Sequence, residues 1–309
     1  MRLDDEEESA NIEDRRGQGG GGGFQLPLGG GGGLQLGGGK MGLGTIAIVV
    51  VLALVFGINP MTLLGGGGTP DASHQQEGGQ PQQIGQPQPA IQAPAGQRSE
   101  GDKFVAQVLG TTERTWGRLF PEQVGQPYEP PRLVLFSGTV RSGCGAAESA
   151  MGPFYCPADK RVYLDQSFFD ELSRRFGAPG DFAAAYVIAH EVGHHIQTVL
   201  GISDQVRKAQ ASASKTQGNA LQVRMELQAD CLAGVWGHDN KTLLEAGDVE
   251  EAMRAAQAIG DDTLQKAAQG VVVPESFTHG SSAQRMRWFR RGFDTGQISA
   301  CDTFAARQL

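Results

Sequence analysis

His190, Glu191 and His194 stand in the run His190-Glu191-Val192-Gly193-His194. On a helix, residues four apart project from one face, so the two imidazoles can share one metal ion. Zinc takes imidazole ligands of this kind, and one Zn2+ per chain is the expected cofactor. Glu191 follows one position round the turn, where a carboxylate can reach a water at the metal without ligating it and act as general base. The surrounding stretch reads as a helix. Asp181 can cap its start, Gly201 can end it, no proline intervenes, and Gly193 is the only glycine between them.

A catalytic zinc site uses three protein ligands and keeps a fourth position open. The extended motif that supplies a third histidine from the same stretch is absent, because Gln197 and Leu200 occupy its further positions. The third ligand must come from elsewhere in the chain. Glu226 and Asp230 lie four apart in a second helical stretch, 219–237, among the apolar and small residues Leu227, Ala229, Leu232, Ala233 and Val235. Carboxylates on such a buried face need partners. Glu226 is the expected third ligand, with Asp230, His238 and His279 as the alternatives. Asp230 is expected to accept the proton on the free ring nitrogen of a ligand histidine and so fix its tautomer. His279, in a loop between Pro274 and a capped helix, is the candidate for a further catalytic donor, and Tyr155 a weaker one. His195 reads as structural, His238 as serving a helix end, and Tyr186 as packing.

The elements that would position these groups fall within residues 102–309. A helix is expected over 102–118, a strand at 133–136, a loop around Cys144 and a hairpin pairing 153–155 with 161–164. Further helices are expected over 167–176, 203–216 and 219–237, and one from Asp248 to near Gly260. A short one should follow from 261 or 262, and the last should open with the capping box Ser281-Ser282-Ala283-Gln284. A few strands followed by helices predict an α+β fold, mostly helical, with a small antiparallel sheet.

The front of the chain has a different character. The 46 glycines concentrate there, and residues 17–39 are mostly Gly. Residues 1–40 are therefore expected as a disordered, Gly-rich tail, with the acidic run Asp4 to Glu8 solvated. Residues 41–64 carry no charge and are long enough for a transmembrane helix. Residues 65–101, rich in Gly, Gln and Pro, read as a flexible linker. Lys40 precedes the apolar stretch, and no Lys or Arg follows it until Arg98. The expected topology is a single pass through the inner membrane, with the N-terminus cytoplasmic and the domain periplasmic. Four cysteines fit an oxidising compartment, paired as Cys144–Cys156 and Cys231–Cys301. A net charge of −8 with no basic patch argues against a nucleic-acid partner.

Several blocks together resemble the bacterial neutral zinc metallopeptidase family, which has a zincin-like fold. They are Asn11 to Gly17, Gly152 to Pro157, Val162 to Asp165, His190 to His195, Glu226 to Trp236, and Thr278 to Ser281 with Gln284, Arg285, Trp288 and Phe289. The Glu226-x-x-x-Asp230 block is also similar to the third-ligand motif of the gluzincins. The resemblance implies a zinc-dependent peptidase with a peptide or protein substrate, and the uncharged stretch 41–64 adds a lipid bilayer as the expected anchor. It names a chemistry without naming a substrate. Two alternatives stand beside it: an envelope protein that binds zinc or peptide without catalysis, and a zinc amidohydrolase acting on a cell-wall amide.

Overall fold

Helix α1 (Glu100–Val124) opens the C-terminal part of the computed structural model, which describes residues 1–17 and 99–309. Ser99 caps it, its Oγ accepting from the Asp102 amide at 3.1 Å. Gly125, at φ 76°, ends it in the left-handed conformation that favours glycine. The helix runs past the expected end at 118, with Pro121 in its last turn. Strands β2 (Arg132–Leu135), β3 (Thr139–Ser142) and β4 (Gly145–Glu148) follow. β3 and β4 pair antiparallel, so the stretch around Cys144 expected as a loop is the turn of a small hairpin. β5 (Phe154–Cys156) and β6 (Arg161–Leu164) form the expected second hairpin, with Phe154 opposite Tyr163 and their rings stacked at 4.8 Å.

The main sheet corrects two expectations. Its strand order is β1 (Ile12–Asp14), β2, β6, β5, and β2 runs parallel to β6. It is therefore mixed rather than antiparallel, because the β3–β4 hairpin and β5 intervene and return the chain in the original direction. Its first strand is β1, from the segment expected to be a solvated tail. β1 pairs in parallel with β2, Met1 and Leu3 are buried, and Glu6 forms an ion pair with Arg114 at 2.6 Å. Two apolar side chains, one strand's backbone bonds and paired charges hold residues 1–17 on the domain. The rest of the expected tail, the span 41–64 and the linker to residue 98 lie outside the described residues. Among the described residues no helix is long and apolar enough to cross a membrane.

After α2 (Ser167–Arg174) the chain is helical: α3 (Asp181–Val199), α4 (Ile202–Ser212), α5 (Lys215–Asp239), α6 (Asp248–Ala258), α7 (Asp261–Gln269) and α8 (Ser282–Thr295). α3 is buried without a break from Phe182 to Gly193, so it is a central helix packed on every side. Its alanines let α5 and α6 approach. A β-carbon at Gly193 would lie 3.0 Å from the Ala229 carbonyl of α5. Phe182 stacks on Trp236 of α5, whose indole donates to Thr111 Oγ1 of α1. α8 opens with the expected Ser281–Gln284 capping box. α5 starts four residues earlier than expected, on a Ser214–Gln217 box, and Asn219 instead donates to the Glu275 carbonyl. Asp181 does not cap α3. Gly180 stands at that position, and Asp181 accepts from the Met1 amino group at 2.7 Å.

Both expected disulfides are present, Cys144–Cys156 and Cys231–Cys301. The second spans 70 residues, ties the C-terminal tail to α5, and is buried at both ends. By loop-closure entropy it contributes about 4 kcal/mol. Cys301→Ser should therefore lower the unfolding free energy read from a urea titration by that amount, and an unchanged value would show that the tail needs no tether.

Candidate metal centre

α3 and α5 bring the three expected ligands together. The donor atoms of His190, His194 and Glu226 all lie within 4.8 Å of one another. Glu226 Oε2 is 3.2 Å from His190 Nε2 and 3.5 Å from His194 Nε2. Ligands about 2.0–2.1 Å from a tetrahedral zinc stand about 3.3 Å apart, so these spacings fit.

The remaining ring nitrogens decide where the lone pairs point. His190 Nδ1 is 2.8 Å from Asp230 Oδ1, a carboxylate that can only accept. His194 Nδ1 is 2.9 Å from Gln197 Oε1. The Gln197 amide is oriented by its Nε2, which donates to the Met225 carbonyl at 2.7 Å and to Gln228 Oε1 at 3.1 Å. Gln228 in turn donates to the Cys301 carbonyl, at the disulfide that anchors the tail. Both histidines thus carry their proton on Nδ1, and both Nε2 lone pairs face the Glu226 carboxylate. Two lone pairs and an anion held this close need a cation between them. The same pull toward positive charge shows in how these groups titrate. Burial would lower His194, yet the Glu226 carboxylate pushes it up to about 9. Burial would raise Glu226, yet His194 and His190 hold it well below the usual carboxylate range.

Asp230 is anchored more heavily than the sequence suggested. It is fully buried, and Arg285 of α8 grips both its oxygens at 2.9 Å. Tyr186, expected as packing, donates its hydroxyl to Asp230 Oδ1 at 2.5 Å and accepts from Arg285 at 3.2 Å. Burial alone would raise Asp230, but Arg285 and His190 keep it down at about 2, a permanent acceptor for His190.

Glu191 lies beside the ligands, 8 % exposed, and burial pushes its carboxyl above the ordinary glutamate value. His279 stands in the loop before α8, which packs on α5: Gly280, at φ 90°, lies against Val223 and Leu227. Asp261 fixes this loop. Its Oδ2 accepts the amides of Thr278, His279 and Gly280 at 2.7, 2.6 and 3.0 Å, and its Oδ1 is 3.3 Å from His279 Nδ1. Burial opposes charge on His279, but its bond to Asp261 and the nearby Glu226 carboxylate raise it.

The sequence matches the family described as "Putative neutral zinc metallopeptidase" over residues 1–304. The chain belongs to that family. Within this metallopeptidase family it is similar to "Uncharacterized protein YpfJ" of Escherichia coli strain K12, 49% identical over 311 residues that cover 98% of this chain and 99% of the relative. It is also similar to "Uncharacterized protein Rv2575" of Mycobacterium tuberculosis strain H37Rv, 42% identical over 228 residues that cover 68% of this chain and 74% of the relative. No solved structure matches the chain.

Three of the residues singled out in the sequence stand apart from His190, His194 and Glu226. Tyr155 bonds His195 Nδ1 at 3.1 Å, and His195 Nε2 donates to the Glu129 carbonyl at 2.7 Å. That chain ties β5 to α3 and to the connection after α1. Tyr155 is therefore engaged with His195 rather than offered to the cleft. His238 donates to the Phe293 carbonyl at 2.7 Å, serving the last turn of α8 rather than that of its own helix. Arg285, Gln197 and Asp261 were not singled out for a role at the centre. Their types and positions resemble ordinary helix-surface residues, and only Arg285 falls inside a family block.

Proposed function

We propose that the chain is a zinc-dependent peptidase, with His190, His194 and Glu226 holding the metal and Glu191 acting as general base. The observation that carries this reading is the convergence of two fixed Nε2 lone pairs and one carboxylate oxygen at tetrahedral spacing, with a further carboxylate that ligates nothing. A purely structural zinc site is closed by a fourth protein ligand, and among the described residues the cluster offers three.

Bound zinc would supply Lewis acidity toward a carbonyl oxygen and toward water. Glu191 takes the proton of the attacking water and returns it to the leaving amine, and a raised carboxyl suits both halves of that exchange. His279, held through Nδ1 by Asp261, is free to donate from Nε2 to the oxygen on which negative charge develops. Asp230, Tyr186 and Arg285 keep His190 in its tautomer, and Gln197 does the same for His194.

The test is incubation of the zinc-loaded full chain with a complex peptide mixture, with new termini read by mass spectrometry. New termini support the peptidase. Silence from a fully loaded protein overturns it and favours a binding role or a cell-wall amide substrate. If hydrolysis is seen, His279→Gln should lower kcat by about 10²-fold with KM and zinc content unchanged. A loss confined to KM would make His279 a binding residue instead.

A further inference from the structure

The docking of residues 1–17 is built into the helix that receives them. The Gln107 side chain is buried within α1, and its amide donates to the carbonyls of Leu3 at 2.6 Å and Glu6 at 3.1 Å. At Gly110 a β-carbon would lie 2.4 Å from the Glu7 carbonyl oxygen, so only glycine lets the segment cross the helix there. One turn on, Glu113 Oε1 accepts from both Ser9 Oγ at 2.7 Å and Asn11 Nδ2 at 2.9 Å. The Ser9 amide donates to the Ala106 carbonyl at 2.9 Å. Beyond the helix the segment becomes β1. Leu133 N donates to the Asn11 carbonyl, and Arg15 N to the Leu135 carbonyl, each at 2.8 Å. The exit is closed by Arg16, 2.7 Å from Asp102 in the first turn of α1.

Without the segment, the domain would uncover the core surface against which Met1 and Leu3 are buried, keep a glycine weakening the middle of its first helix, and leave a bare edge on β2. Each is a cost, and an exposed strand edge invites wrong pairing. The domain is therefore shaped around its own N-terminal segment. The described chain leaves at Gly17 and returns at Ser99, next to the two ends of the Arg16–Asp102 pair, so both passages lie at one place on the domain surface.

A single membrane crossing by residues 41–64 is incompatible with this arrangement, because it would separate residues 1–17 from residues 99–309 by the thickness of a bilayer, about 30 Å of hydrocarbon. We propose that residues 1–17 and the metal-centre domain occupy the same side of the membrane, with β1 in place in the cell. This replaces the expected topology of a cytoplasmic N-terminus and a periplasmic domain. The proposal is independent of whether the centre hydrolyses peptides.

The test uses the full chain in bacterial cells, with single cysteines introduced at exposed positions: Ala10→Cys, and separately Asp4→Cys, in the segment, and Lys208→Cys in the domain. Spheroplasts are treated with a membrane-impermeant thiol reagent before and after lysis, and modification is read at the introduced residue by peptide mass spectrometry. Positions 10, 4 and 208 should share one pattern, all modified before lysis or all only after it. Modification of Lys208→Cys before lysis, with both segment positions modified only afterwards, would overturn the proposal and restore the single crossing. Two segment positions are used so that a local disturbance at one does not decide the result.

Discussion

Glu191→Gln should keep its zinc and lose its hydrolysis, with kcat falling about 10²–10⁴-fold while KM stays put. The substitution preserves size and the ability to accept a hydrogen bond, and it removes the group that can take a proton. His190, His194 and Glu226 are positioned without Glu191. His190 is fixed by Asp230, His194 by Gln197, and Glu226 Oε1 accepts from Gln222 at 2.9 Å. Zinc content should therefore stay at one per chain by elemental analysis. Glu226→Gln is the contrasting variant. It replaces the only anionic ligand, and it should lose the metal and the activity together. The pair separates base from ligand, two roles that an activity assay alone would confuse. A Glu191→Gln protein within tenfold of wild-type kcat would remove Glu191 as the base, and a Glu226→Gln protein with full zinc would remove Glu226 as a ligand.

The parts of this centre that were legible in the sequence are those whose geometry is local. A four-residue spacing on a helix fixes where His190 and His194 point, and the same spacing does so for Glu226 and Asp230. Their buried surroundings were visible as apolar and small neighbours. What stayed hidden depends on partners far along the chain. Arg285 is buried only because Asp230, 55 residues earlier, lies against it. Gln197 acts on His194 only because Met225 and Gln228 hold its amide the right way round. The N-terminal segment was misread for a related reason. An acidic run leading into Gly-rich low complexity has the composition of a solvated tail, and three residues of β1 are too few to show an alternation. Its receptor reads no better from sequence, because Gly110 looks like a weak point in a helix until Glu7 is seen lying across it. The parallel pairing of β1 with β2 was missed with it, since the two strands are separated by more than a hundred residues.

Gly292→Ala should destabilise the protein by about 3 kcal/mol or more and loosen the metal centre with it. α5 and α8 meet backbone to backbone. A β-carbon on Gly292 would lie 1.9 Å from the Cys231 carbonyl oxygen, and one on Gly234 would lie 2.1 Å from the Phe289 carbonyl oxygen. The nearest atoms are main chain, so no side chain can swing aside, and the helices must separate by an ångström or more to admit a methyl group. Helix propensity alone would favour alanine by up to about 1 kcal/mol, which this clash outweighs. Gly218, in the first turn of α5, supplies the control: a β-carbon there meets nothing within 4 Å, so Gly218→Ala should be neutral or stabilising by up to about 1 kcal/mol. The consequence reaches the site because Arg285 precedes Gly292 by two turns on the same face of α8, and its 2.9 Å bonds to Asp230 tolerate little separation. With Asp230 released, His190 loses the partner that orients it, and zinc affinity should fall about 10–100-fold in a competition titration. Urea unfolding reads the first effect and the titration the second. A Gly292→Ala protein with both at wild-type values would show that the two helices are not in backbone contact and that Arg285 is not placed by their packing.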